Sequence, residues 1–222
     1  MNKGEFESEI KNQIEKFESI FKSMPWNISE FYSLWCAQTY KYVCHSAPLI
    51  KKTAEHLPAG QLKTEMQKHY KEEVGHEKFA LRDAAHFGLD ADAIETLPET
   101  SKMFEYANKE IETDPAAMYG YAFALEHISK VYAPIVAELV AKSFDLQISK
   151  IHTHNVPVSF LTLHAEVDQE HADHGLEALD HLPESSHPFA MQVMKDTFDN
   201  YHSFLEAVKS NSENGVRNCA AG

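Results

Sequence analysis

The stretch Leu161–Ala178, LTLHAEVDQEHADHGLEA, decides how this chain is read. It has helical character and carries His164, Asp168 and His171. At about 100° per residue, Asp168 sits about 40° round the helix from His164, and His171 about 20° to the other side. Three groups that suit iron, manganese or zinc therefore share one stripe over two turns. A solvated polar face has the same spacing, so the triplet alone does not decide between the two. Glu166, Glu170 and His174 fall off the stripe and are expected at the surface.

Outward from that helix, the pattern is helical throughout. Phe6, Ile10, Ile14, Phe17, Ile20 and Phe21 recur mostly at steps of three and four, which predicts an amphipathic helix over 3–21. Asn27 or Ser29 starts a second, aromatic-rich helix that Pro48 bends or breaks. After the Pro58-Ala59-Gly60 turn, a third helix is expected from Gln61 to Phe87, with Gly88 as its C-cap. A short helix over 101–111 follows. Asp114 as N-cap and Pro115 in the first turn open a mostly apolar helix to Phe144, kinked at Pro134. Pro157 opens the helix quoted above, Leu182-Pro183 ends it, and Ser186 caps a last helix over 188–210. No alternating segment of useful length appears. The expectation is an all-α, single-domain bundle of about seven helices over 1–210, with 211–222 as a flexible tail.

The totals exclude several functions. A formal charge of −14 argues against nucleic-acid and anionic-membrane partners, both of which repel an acidic surface. No apolar run approaches the roughly 18 residues needed to span a bilayer. Three cysteines at unhelpful spacings suggest neither a disulfide framework nor a cysteine zinc site, and point to the reducing cytoplasm. Fourteen histidines raise the expectation of metal but also inflate chance motifs.

Two further features weigh toward metal. His69, Glu73 and His76 repeat the spacing of His164, Asp168 and His171, with the same three ligand types. An acid-x-x-His pair occurs about twice by chance in such a composition and is weak alone. Glu184/His187 sits beside a proline, and His86 of Asp83/His86 simply favours a helix C-terminus. The extra histidine on each stripe is what sets the other two pairs apart. Glu126 lies mid-helix among Phe123, Leu125 and Ile128, where an unpaired carboxylate is costly. A lysine or tyrosine partner would satisfy it as well as a metal.

With AQTYKYVCHSAPL, EEVGHEKFALRDAAHFG, the Glu126 segment and NVPVSFLTLHAEVDQEHADHGLEAL in hand, most of the chain resembles the haem-oxygenase-like diiron oxidases. These are relatives of the thiaminase-type and pyrroloquinoline quinone synthase helical proteins. The resemblance implies a haem-oxygenase-like fold and metal ligands Glu73, His76, Glu126, His164, Asp168 and His171. It implies two Fe(II) ions reactive toward O2, with manganese as an alternative ion, and a homodimer. The implied chemistry is oxidation of an amino acid, amine or fatty acid by N-oxygenation, desaturation or C–C cleavage. Some members carry an additional glutamate on the second helix, where this chain has Gln38, Thr39 and Tyr40. Glu72 competes with Glu73, and His69 is expected to support a ligand rather than be one. Self-sacrificing synthesis from an internal tyrosine is disfavoured, since Val136 stands where its lysine would fall.

Two rival readings remain. A metal-free thiaminase-like or quinone-synthase-like enzyme would, in the first case, need an activated cysteine, and Cys36 and Cys44 look like packing residues. A non-catalytic helical binding protein accounts for the acidity but not for two matched stripes and a mid-helix glutamate.

Overall fold

The computed structural model describes residues 3–146 and 157–220, and among these there are nine α-helices and no strand. They are α1 (Lys3–Ser23), α2 (Ser29–Val43), α3 (Ser46–His56), α4 (Gln61–Glu73), α5 (Glu77–His86), α6 (Pro98–Thr113), α7 (Ala116–Ser143), α8 (Ser159–Ala178) and α9 (His187–Ala220). The seven expected helices are all present. Two of them are each divided in two: the aromatic-rich helix between α2 and α3, and the third helix between α4 and α5.

The second division bears on function. The chain leaves α4 at Val74 and turns through Gly75, whose φ of +100° is costly for any residue with a Cβ. His76 then starts α5. No atom lies within 4 Å of where a Cβ at Gly75 would be. Conformation alone therefore selects glycine here, and space does not. His69, Glu73 and His76 are accordingly not a stripe on one helix, contrary to the sequence expectation.

α7 is the axis of the bundle and packs most extensively against α8 and α9. Small residues on its buried face let its neighbours close in. A Cβ on Gly120 would sit 2.1 Å from the Ala190 carbonyl oxygen of α9, so only glycine permits that crossing. Asp114 starts α7 as expected, accepting from the Ala116 N–H at 2.9 Å. Its other oxygen accepts from Ser186 Oγ at 2.7 Å, so Ser186, just before α9, tethers the start of α7. α9 continues past Ser210 to Ala220, with Asn211 and Ser212 bonding back to Ala207 and Lys209.

Two buried polar residues set the position of whole helices. Gln38 of α2 donates to the Glu95 carbonyl and accepts from Leu97 N–H and Thr100 Oγ1, which locks the approach to α6. Asp83 of α5 accepts three hydrogen bonds, from Ser159 N–H, Ser159 Oγ and Phe160 N–H. It caps α8 from another helix, satisfying N–H groups that a helix start leaves orphaned. Bonds to a charged acceptor contribute about 1.5–3 kcal/mol each at most. Burial pushes the Asp83 carboxyl up to about 7, against those three donors. No helix among the described residues is long and apolar enough to cross a membrane.

Candidate metal centre

α4, the α4–α5 turn, α7 and α8 converge their polar side chains at one place inside the bundle. The donor atoms fall into two groups. In the first, His69 of α4, Glu126 of α7 and His171 of α8 offer atoms all within 4.8 Å of one another. In the second, Glu73 of α4, His76 of the turn and His164 of α8 do the same. α4 and α8 contribute to both. Asp168, 4% exposed, lies one turn from His164 and has a carboxylate oxygen 3.6 Å from His171 Nδ1.

The six residues singled out in the sequence are thus brought together, but in a different grouping from the one their spacing suggested. His69, expected to support a ligand, stands among the candidate donors: its Nε2 is 3.7 Å from Glu126 Oε1, and its ring centroid lies 4.7 Å from that of His171. Glu73 points inward to His76, whereas Glu72 is exposed, pairs with Lys68 at 3.3 Å and reaches His171 only from outside at 3.6 Å. The second helix contributes no carboxylate, because Gln38 is engaged with the α6 approach. Glu166, Glu170 and His174 are exposed, as expected. His127 bonds its own helix through Phe123 O at 2.8 Å.

Two details make these side chains competent to hold a cation. His164 Nδ1 lies 2.8 Å from the Phe160 carbonyl, so Nδ1–H donates there and Nε2 keeps its lone pair for a metal. His76 Nδ1 is buried, 3.0 Å from Glu73 Oε2 but off the line of a hydrogen bond, and has no other partner. A buried ring nitrogen left this way calls for an explanation, and a metal ion supplies one. The donor set, imidazoles with carboxylates, is that of iron, manganese or zinc.

The electrostatics show what the groups do without a metal. Burial pushes the Glu126 carboxyl up to about 8, reinforced by Asp168 and Glu73. Burial pulls His171 down, but the carboxylates of Asp168, Glu126 and Glu73 outweigh it and lift the ring to about 9. His76 rises for the same reason, Glu73 and Asp168 overcoming burial. For Glu73 the histidines prevail: burial opposes its charge, yet His76, His164 and His69 hold it below the usual carboxylate range. His69 is lowered by burial. Three buried carboxylates in one place are stable only with compensating positive charge, which protons or metal ions provide.

Two cavities adjoin the centre from opposite sides. An inner one of about 100 Å³ is walled by Trp35, Tyr42, Tyr121 and Phe160 as well as by Glu73 and His164. An outer one of about 350 Å³ lies between α4, α7 and α8. His69, Ala122, Glu126 and His171 form the partition between them.

Residues 33–196 match the profile of a haem-oxygenase-type family described as iron-containing redox enzymes, a span that includes every residue of the centre. No curated protein matches the chain. Among solved structures, a domain of unknown function with a haem-oxygenase-like fold from Shewanella denitrificans superposes with a TM-score of 0.79 at 22% identity, covering 96% of this chain and 94% of that one. A TenA homologue from Pseudomonas syringae pv. tomato gives a TM-score of 0.74 at 14% identity, covering 91% of this chain and 92% of that one. At such identities these two likenesses show the fold, which is haem-oxygenase-like.

Proposed function

Since this chain belongs to the haem-oxygenase-like family of iron-containing redox enzymes, we propose that it is a non-haem diiron oxidase or oxygenase, using O2 to oxidise a small molecule. The observation that carries the reading is the pair of three-residue groups, His69/Glu126/His171 and Glu73/His76/His164, beside one another on α4 and α8, with Asp168 3.6 Å from His171. One group would suit one metal, and two adjacent groups suit a pair.

Two ferrous ions bound there would supply the electrons that O2 reduction needs. The chain's own part is to hold and insulate them. Phe160 O fixes the His164 tautomer, and Asp83 fixes the start of the helix that carries His164, Asp168 and His171. Glu126 and His171 are the sites that hold protons before metal arrives and release them when it binds. The walls of the inner cavity are mostly aromatic and aliphatic, and such low-polarity surroundings strengthen the charge interactions beside them.

The thiaminase-like alternative finds no support in Cys36 or Cys44, the cysteines whose side chains are described. Cys36 is fully buried, and burial together with Asp83 pushes its thiol well up. Cys44 is exposed, but burial of its thiol and nearby acids raise it too. Neither is an activated thiolate.

The test is anaerobic reconstitution with Fe(II), followed by exposure to O2. The expected result is close to two irons per chain and a transient visible absorption band on mixing with O2. A protein that holds no iron, and whose His164→Ala variant behaves as the parent does, sinks the proposal.

A further inference from the structure

We infer that the outer cavity is the substrate site, and that it takes a cationic amine whose oxidised atom lies several bonds from its nitrogen. The inference rests on the metal-centre reading above for the position of the chemistry, and on the cavity itself for the ligand.

Volume separates the two cavities. Ligand pockets are typically about 300–1,000 Å³. The outer cavity, at about 350 Å³, is in that range, whereas the inner one, at about 100 Å³, is not. The inner space, lined mostly by aromatic and aliphatic side chains, suits a diatomic gas. A substrate therefore meets the centre from the side of His69, Glu126 and His171.

Charge identifies the ligand. Glu65, Glu72 and Glu177 line the outer cavity with one lysine, Lys68, and, apart from the metal-centre histidines, His174 and His181. Lys68 is taken by Glu72 at 3.3 Å, which leaves Glu65 and Glu177 without a cationic partner among the described residues. Tyr119, on the same wall, is 4% exposed, and its hydroxyl has no hydrogen-bond partner. Burial first, and the charge of Glu65 second, push that hydroxyl up, while Glu65 itself accepts from Gln61 Nε2 at 2.7 Å. An anionic substrate would face uncompensated acids here, whereas an ammonium group would meet two carboxylates and a hydroxyl.

Helix geometry sets the length. Glu65 lies one turn before His69 on α4, and Glu177 six residues beyond His171 on α8. At about 1.5 Å rise per residue, the carboxylates are about 6–9 Å along the helices from the ligand positions. An ammonium held by them leaves four to six bonds of chain to reach the metals. Ala122 and Phe123 provide the apolar surface along which that chain lies.

Calorimetric titration of the iron-loaded, anaerobic protein with hexylamine, methylamine and hexanoate tests the inference, with metal content measured separately on the same samples. Hexylamine is expected to bind more tightly than methylamine, and hexanoate not at all. A Glu65→Gln/Glu177→Gln double variant, which keeps shape and removes charge, is expected to weaken hexylamine at least tenfold. His174→Trp, at an exposed position on the cavity wall, is expected to abolish it. Hexanoate binding as tightly as hexylamine overturns the inference, as does an unchanged affinity in the double variant. The same titration on metal-free protein separates the two proposals. Charge-dependent hexylamine binding without any iron uptake sinks the diiron reading alone, and two irons without amine binding sink the substrate site alone.

Discussion

At the scale of single residues, the centre is defined by which atoms have nowhere else to bond. His164 has one nitrogen spoken for by Phe160 O, and His76 has a buried Nδ1 that faces Glu73 Oε2 at 3.0 Å without a well-aligned hydrogen bond. The partition into two groups yields a prediction that spacing alone does not. His69→Ala removes a donor from the Glu126/His171 group, and His164→Ala removes one from the Glu73/His76 group. Each variant is expected to retain about one iron per chain, and the double variant none, by elemental analysis. If His69 merely supports a ligand, its alanine variant keeps both irons. Protonation gives a second prediction. Glu126 is raised from 4.5 to about 8 and His171 from 6.5 to about 9, so the folded metal-free protein binds more protons than the unfolded chain. The stabilisation from each is complete below its ordinary value and is lost as pH rises through its raised one. Between pH 7 and 9 both are being lost. Thermal unfolding of the metal-free protein is expected to shift to lower temperature over that range, with a shallower slope in Glu126→Gln. A rise in melting temperature over the same range would contradict it.

At the scale of elements, the break between α4 and α5 explains both what was readable beforehand and what was not. The apolar periodicity of 3–21, the Asp114-Pro115 start and the buried length of α7 are local patterns, and the helices follow them. The residues of the centre were also visible as types: six through the spacing His-x3-acid-x2-His occurring twice, since acid-x-x-His alone recurs by chance, and Glu126 as a carboxylate among apolar neighbours. Their grouping was not visible, because it depends on a backbone turn. KEEVGHEK keeps a helical pattern of polar residues straight through Gly75, and a lone glycine inside such a pattern is usually tolerated. The +100° φ at Gly75 redirects His76 into a different group from His69. The role of Asp83 was hidden because its partners lie 76 and 77 positions away. The turn carries its own prediction. Gly75→Ala meets no steric contact, so its cost is conformational, about 1–2 kcal/mol. Such a variant is expected to unfold a few degrees earlier and to lose iron from the Glu73/His76 group while keeping the Glu126 group, as read by the iron content of the purified protein.

At the scale of the whole molecule, the bundle is a frame around a charged interior that its own packing does not neutralise. Its acidic balance, −14 overall, extends to the outer cavity and favours the approach of cations, metal and amine alike. Both three-residue groups draw on α4 and α8, with α7 completing one and the α4–α5 turn completing the other. Bringing α4 and α8 into register is therefore a cost common to both occupants, met by whichever arrives first. On the diiron reading the second ion would find that ordering already done, so uptake would be a linked equilibrium and not two independent ones. Titration with ferrous iron is expected to show a Hill coefficient above one, with chains holding a single ion scarce at half saturation. On the diiron reading proposed above, the divided third helix, by separating two ligands that a straight helix would have stacked, would make the pair of metals a cooperative unit.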